Sequence, residues 1–193
     1  MDGFWVAFGV IFVAELGDKS QLMALAFSTR FSAWRVLIGI TIATAITHAI
    51  SVGIGEVVGN NIPTRWLNLA AGLAFLGFAW WTWRGDTLDE DDEAAAARVG
   101  RSGAWRAILA IGVTFFLAEM GDKTMLATIT LATKQPWFAV WLGSTIGMVA
   151  ADALAIVVGQ QMGSRLPERA IRIGATLAFV VFGALLLVEA AVG

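Results

Sequence analysis

The sequence predicts an all-α integral membrane protein with six transmembrane helices. Of its 193 residues, 58% are hydrophobic and only 15% are charged, and the mean hydropathy is +0.75. Apolar runs repeatedly reach the roughly 20 residues that a helix needs to cross about 30 Å of hydrocarbon. An internal repeat further predicts that the six helices form two inverted three-helix units.

The six apolar segments are separated by short polar stretches. The predicted helices cover residues 4–28, 36–59, 65–84, 104–132, 137–160 and 169–190. The breaks at residues 60–63, 134–136 and 163–167 contain Gly, Pro or Asn, which disfavour continued helix. No basic segment precedes the first apolar run, so we expect a retained helix and not a cleaved signal peptide.

Basic residues are distributed unequally between the two sides of the predicted membrane. One side carries only Arg65 and Lys134. The other side carries Arg30, Arg35, Arg84, Arg98, Arg101, Arg106, Arg165, Arg169 and Arg172. The positive-inside rule assigns the arginine-rich side to the cytoplasm and both termini to the extracytoplasmic side of the inner (plasma) membrane.

The central segment, residues 85–103, is too polar to bury. Six acids fall within Asp86 to Glu93, and a Gly/Arg-rich stretch follows. We interpret it as a solvated cytoplasmic linker between residues 1–84 and 104–193. Collecting cations is the alternative, because clustered carboxylates concentrate counterions.

A charged hexapeptide occurs twice, each time about halfway along a predicted helix. The first copy runs from Glu15 to Ser20 and the second from Glu119 to Thr124. A charged side chain near the bilayer midplane costs roughly 2.5 to 3.5 kcal/mol. These groups are therefore expected to pair with one another, to face a wet cavity, or to hold an ion.

The two halves align without a gap when the chain is shifted by 104 residues. Gly39 then meets Gly143, and Phe75 meets Phe179. Because each unit has three helices, the second unit enters the membrane from the opposite side. Inverted repeats of this kind are typical of secondary transporters, whose ion sites lie at the midplane between the repeats.

The motif acids are suited to binding a hard cation. Acids three residues apart share one helix face, so Glu15, Asp18, Glu119 and Asp122 could line one cavity. The chain has no cysteine, and oxygen ligands favour Mn²⁺, Ca²⁺ or Mg²⁺ over Zn²⁺ or Cu⁺. A glycine within each motif could bend the helix there and expose backbone carbonyls.

Further polar residues could supply ligands, tune the charge or carry protons. They comprise the two motif hydroxyl residues, the glutamine that follows the first motif, the two motif lysines, and two mid-span residues at equivalent positions of the repeats. The set is Lys19, Ser20, Gln21, His48, Lys123, Thr124 and Asp152. The structural alternative is that Glu15 and Lys19, and their counterparts in the second motif, form ion pairs that only hold the bundle together.

The paired motifs resemble those of the cation/proton antiporter family that includes Golgi Ca²⁺/Mn²⁺ transporters and bacterial manganese exporters. The resemblance covers nearly the whole chain and implies that Glu15, Asp18, Glu119 and Asp122 bind the transported cation. It also favours manganese. Many relatives carry Gln after the Ser or Thr of both motifs, whereas Gln21 is matched here by Met125.

The resulting expectation is a transporter that exports Mn²⁺ from the cytoplasm in exchange for protons by alternating access, without a cofactor. Its expected partners are the divalent cation and the lipid bilayer but no nucleic acid, and a homo-oligomer is left open. A Ca²⁺/H⁺ exchanger of the same architecture and a structural membrane subunit are the alternatives. An enzyme is not expected, since the single His precludes His-Glu-x-x-His and neither motif Asp lies in Gly-x-Gly-Asp.

Overall fold

The computed structural model describes residues 2–84, 103–162 and 168–192, and these form helices without a strand. The predicted linker lies outside this part except for Gly103, as does the predicted break at 163–167. The helices are α1 (Asp2–Glu15), α2 (Lys19–Ser28), α3 (Ala33–Asn61), α4 (Thr64–Arg84), α5 (Ala104–Glu119), α6 (Lys123–Ala132), α7 (Trp137–Met162) and α8 (Glu168–Val192).

Three single helices in the described ranges are long and apolar enough to cross a membrane. They are Ala33–Asn61, Trp137–Gln160 and Arg172–Val192. The pair α5 and α6 adds a fourth candidate if its bent halves are counted as one span. The chain is therefore an all-helical membrane protein with three to four candidate spans, and six crossings stay a prediction.

The two helices predicted to carry the charged motifs are each broken in two. Residues 16–18 separate α1 from α2, and residues 120–122 separate α5 from α6, where the bend is 73°. Gly17 has a φ of 76° and Gly121 a φ of 83°. This left-handed conformation costs other residues roughly 1 to 2 kcal/mol. The motif glycines thus end one helix and allow the next to begin at an angle.

Helices α4 and α8 pack against each other through aromatic and small residues. The rings of Phe75 and Phe179 lie 5.9 Å apart. A Cβ added to Gly72 would lie 3.0 Å from the carbonyl oxygen of Gly183, and the reverse addition gives the same distance. Close backbone approach at small residues is a common way for membrane helices to associate.

Other contacts recur at positions 104 residues apart. A Cβ on Gly39 in α3 would lie 3.0 Å from the carbonyl oxygen of Ile108 in α5. At the equivalent positions, a Cβ on Gly143 in α7 would overlap the carbonyl oxygen of Phe4 in α1. The α3–α5 and α1–α7 crossings therefore have the same construction.

Two pairs of residues exactly one repeat apart touch each other. Thr44 Oγ1 in α3 lies 3.4 Å from Met148 Sδ in α7, and Phe75 contacts Phe179 as described above. Contacts between equivalent residues are expected if an axis relates the two halves. The charged breaks lie beside the helices that contribute these contacts, because α1 and α2 both pack on α7.

Candidate cation site

The helix breaks position the four motif acids. Glu15 is the last residue of α1 and Asp18 is the N-cap of α2, while Glu119 and Asp122 occupy the same places in α5 and α6. Their exposed fractions are 0%, 0%, 1% and 7%, in chain order. Local backbone geometry therefore places all four carboxyl groups in the interior.

Three of these acids converge from both halves of the chain. Glu15, Asp18 and Glu119 each offer one carboxylate oxygen, and these oxygens all lie within 4.8 Å of one another. Two oxygens on opposite sides of one Ca²⁺ bound at about 2.3 to 2.6 Å are about 4.6 to 5.2 Å apart. The three oxygens are therefore close enough together to bind one divalent cation.

A motif hydroxyl holds each glutamate in the same way. Ser20 Oγ donates a hydrogen bond to Glu15 Oε1, and Thr124 Oγ1 donates one to Glu119 Oε2 at 2.9 Å. The second oxygens, Glu15 Oε2 and Glu119 Oε1, are buried and accept no hydrogen bond within the described ranges. An unsatisfied buried polar atom costs about 1 to 3 kcal/mol, and more when charged. These two oxygens therefore favour a bound proton or cation.

The two motif aspartates are used differently. Asp18 forms an ion pair with Lys123 of the second motif, and its Oδ2 lies 3.1 Å from Ser20 Oγ. Asp122 accepts a hydrogen bond from the backbone N–H of Thr124 at 3.4 Å and caps α6. Asp122 does not belong to the three-carboxylate cluster. Of the four carboxylates predicted to line one cavity, three therefore lie together in this structure.

Among the residues that the structure describes, Lys19 does not form the ion pair with Glu15 that the structural alternative requires. Lys123 is 1% exposed and reaches across to Asp18. Lys19 is half-buried, and no ion pair joins it to Glu15 in the part of the chain that the structure describes. The buried ion pair therefore connects the two halves and does not brace a single helix turn.

Gln21 has a positioning role that sequence reasoning missed. Its Oε1 accepts a hydrogen bond from the N–H of Gly17 at 2.8 Å, and its Nε2 donates one to the carbonyl oxygen of Ala151 at 3.0 Å. Met125 takes the equivalent place, with Sδ 3.3 Å from the N–H of Gly121. The sequence signal is a side chain with a hydrogen-bond acceptor four residues after each left-handed glycine, Gln21 after Gly17 and Met125 after Gly121. Gln21 ties the first break to α7 and does not offer a free oxygen ligand.

Asp152 and His48 occupy equivalent positions but have different surroundings. Asp152 is fully buried, neither carboxylate oxygen accepts a hydrogen bond from the described residues, and its charge interacts with that of Glu15. His48 is 1% exposed, with Nδ1 3.5 Å from Thr145 Oγ1, and no ion pair joins it to a described carboxylate. Only Asp152 joins the acids electrostatically.

Comparison with known families agrees with this arrangement. The family model described as divalent cation/proton antiporter GDT1 matches residues 3–90 and 107–193. The chain belongs to this divalent cation/proton antiporter family. The predicted resemblance is thereby confirmed. The two matched segments begin 104 residues apart, which is the offset of the two motifs.

Individual relatives cover most of the chain. GDT1-like protein 4 of Oryza sativa subsp. indica is 30% identical over 200 residues, covering 94% of this chain and 71% of the relative. A Vibrio cholerae protein named as a candidate manganese exporter is 28% identical over 170 residues, covering 86% and 81%. Protein PAM71, chloroplastic, of Arabidopsis thaliana is 32% identical, covering 97% and 57%. No solved structure matches this chain.

Proposed function

We propose that the protein exports Mn²⁺ from the cytoplasm in exchange for protons. The observation that supports this most directly is the buried cluster of Glu15, Asp18 and Glu119, contributed by both broken helices and containing carboxylate oxygens without hydrogen bonds. Membership of an antiporter family agrees with this chemistry.

Proton-coupled exchange follows from competition for the same oxygens. Burial favours the neutral form of a carboxyl group, and a nearby cation favours the ionised form. Glu15 Oε2 and Glu119 Oε1 can be satisfied by a proton or by a metal ion, but one oxygen cannot hold both. A site that must exchange one for the other couples their movements.

The nature of the ligands and one relative support manganese as the substrate. Carboxylate oxygens without a thiolate select hard divalent cations, and the Vibrio cholerae relative is named for manganese export. A Ca²⁺/H⁺ exchanger is the second candidate, because carboxylate oxygens also suit Ca²⁺. Relative rates with the two ions distinguish these candidates.

The proposed architecture has six crossings in two inverted repeats, residues 1–84 and 104–193, joined by a cytoplasmic linker. Contacts between equivalent residues, such as Thr44 with Met148, support this arrangement. The charge asymmetry supports an orientation with both termini outside, and the similarity to a bacterial relative supports a plasma membrane location. Alternating access then exposes the shared cluster to one side of the membrane at a time.

The decisive experiment measures exchange in liposomes that contain the purified protein and a pH dye. We expect added Mn²⁺ to drive proton movement in the wild type, and Glu15→Gln and Glu119→Gln to abolish it because each removes a charged ligand. Glu189→Gln is the matched control, since Glu189 is 61% exposed and pairs with Lys134 at 2.8 Å away from the cluster.

Other outcomes would contradict the proposal in specific ways. Metal entry without proton movement would indicate a uniporter or channel. Faster exchange with Ca²⁺ than with Mn²⁺ would favour the second candidate. Correctly folded wild-type protein that moves neither ion would support a structural subunit.

A further inference from the structure

Lys123 and Lys19 hold the same position in the two motifs but have different surroundings. Lys123 is 1% exposed and paired with Asp18 of the other half. Lys19 is half-buried, and the structure contains no Lys19–Asp122 ion pair among the residues it describes. The offset of 104 makes Lys19–Asp122 the counterpart of Lys123–Asp18. One of two equivalent pairs is formed and the other is not.

The helix crossings next to the motifs also differ between the two halves in how closely the helices approach. Where α3 crosses α6, a Cβ on Gly55 would overlap the carbonyl oxygen of Ile129 and lie 2.6 Å from Ala132 Cβ. At the equivalent α7–α2 crossing, a Cβ on Gly159 would meet the side chain of Leu25, at 2.5 Å from its nearest atom. The backbones of α3 and α6 thus touch, whereas a side chain separates α7 from α2.

We propose that Lys123 and Lys19 are alternating internal counter-cations, one for each of two states of the transporter. In the present state Lys123 neutralises Asp18 and the α3–α6 crossing is closed. When the halves exchange roles, Lys19 neutralises Asp122 and the α7–α2 crossing closes. This proposal rests on the proposed inverted-repeat antiporter, because only equivalent halves can exchange roles.

The ion pair would also make Lys123 a competitor of the substrate. Asp18 belongs to the three-carboxylate cluster, and its ammonium partner neutralises the charge that a divalent cation would use. Binding the cation therefore requires Lys123 to give up Asp18. A ligand shifts a conformational equilibrium only through different interactions with the two states, and this displacement provides such a difference.

The test uses single cysteines, since the chain has none of its own. Thr133 lies at the closed crossing, where a Cβ on Gly59 would be 2.7 Å from its carbonyl oxygen. Thr29, its counterpart, is exposed. In the full chain in lipid nanodiscs, we expect a thiol reagent to label Thr29→Cys faster than Thr133→Cys.

The lysine variants should move these two rates in opposite directions. Lys123→Gln removes the ion pair of the present state, so the labelling rate should rise at Thr133→Cys and fall at Thr29→Cys. We expect a change of about fivefold, which is the lower end of typical coupling effects. Lys19→Gln should do the reverse. Lys123→Arg and Lys19→Arg keep the charge and should retain the wild-type rates.

Two outcomes would overturn the proposal: both glutamine variants shifting both reporters in the same direction, or neither variant changing either rate. If Lys123→Gln fails to fold, Asp18→Asn replaces it, because it removes the partner of Lys123 and should act like Lys123→Gln. Labelling requires no transport. A wild type without Mn²⁺ flux would therefore contradict the proposed function separately from the lysine alternation.

Discussion

The first break, at residues 16–18, and the second, at residues 120–122, share a backbone design but differ in the side chains around it. Both place a glutamate at the end of one helix, a left-handed glycine next, and an aspartate at the start of the following helix. Around the first break stand Gln21 and Asp152, whereas the second has Met125.

These differences are of two kinds. Met125 opposite Gln21, and His48 opposite Asp152, are differences of sequence that persist in every conformation. The unequal burial of Lys19 and Lys123 is a difference between identical residues, so a change of conformation is able to reverse it. The first kind would make the site permanently asymmetric, and the second could reverse during transport. Substitutions at matched positions can separate the two.

The largest effect is expected at the equivalent positions 152 and 48. Asp152→Asn removes a buried carboxyl group whose oxygens accept no hydrogen bond from the described residues, so we expect proton-coupled Mn²⁺ exchange to fall about 10- to 100-fold, as for groups that support metal ligands. His48→Gln keeps a polar group beside Thr145. We expect it to change the exchange rate less than about twofold, which corresponds to well under 1.4 kcal/mol.

Initial rates in the liposome assay, normalised to the amount of folded protein, measure this difference. If His48→Gln reduced exchange as much as Asp152→Asn, both halves would contribute a mid-span group to the ion path. Equal wild-type rates for both variants would restrict the site to the motif acids.

The sequence predicted the helical class and the pairing of motifs better than it predicted the shape of the motif helices. Apolar runs and the offset of 104 are visible in the residue order, and so are acids three apart. A glycine alone does not distinguish a bent helix from a broken one, because its φ depends on the contacts around it. Gly17 shows this, since its N–H is held by Gln21.

The sequence named all three clustered acids but did not distinguish them from Asp122. Spacing along one helix gave Glu15–Lys19 as the structural alternative, yet the break puts these two residues in different helices, and Lys123 pairs across the halves. His48 and Asp152 looked equivalent by position. Only the packing of α3 and α7 decides which of them interacts with the acids.

A smaller effect, on stability, is expected at the two equivalent glycine crossings. Gly55→Ala places a methyl group against the carbonyl oxygen of Ile129, where backbone must move, so we expect a loss of about 1 to 3 kcal/mol, as for other overpacked sites. Gly159→Ala meets the flexible side chain of Leu25 and should cost less than about 1 kcal/mol.

Thermal unfolding of the purified variants in one detergent compares the two substitutions directly. Equal losses would mean that the α7–α2 crossing is as tightly closed as the α3–α6 crossing in the dominant state. That result would remove one of the two observations supporting alternation between the lysines.

The smallest effect is expected from exchanging Gln21 and Met125, the residues that accept hydrogen bonds from the N–H groups of the two motif glycines. Gln21→Met loses the hydrogen bond to Ala151 and replaces an oxygen acceptor by sulfur at Gly17. We expect the stability to fall by about 1 kcal/mol, within the usual range for one hydrogen bond. Met125→Gln gives Gly121 a better acceptor, but the Nε2–H₂ group of the new side chain must find an acceptor near Thr47, the counterpart of Ala151.

We therefore expect Met125→Gln to leave the unfolding temperature nearly unchanged. The carbonyl oxygen of Thr47 already accepts a hydrogen bond from Ser51 Oγ at 2.8 Å. The equivalent carbonyl oxygen, that of Ala151, accepts its hydrogen bond from Gln21. A clear gain in stability with Met125→Gln would mean that Thr47 can accept both donors. Since both side chains act on helix breaks that position a glutamate, a change of exchange rate without a change of stability would show that these side chains set ligand geometry and not the strength of the fold.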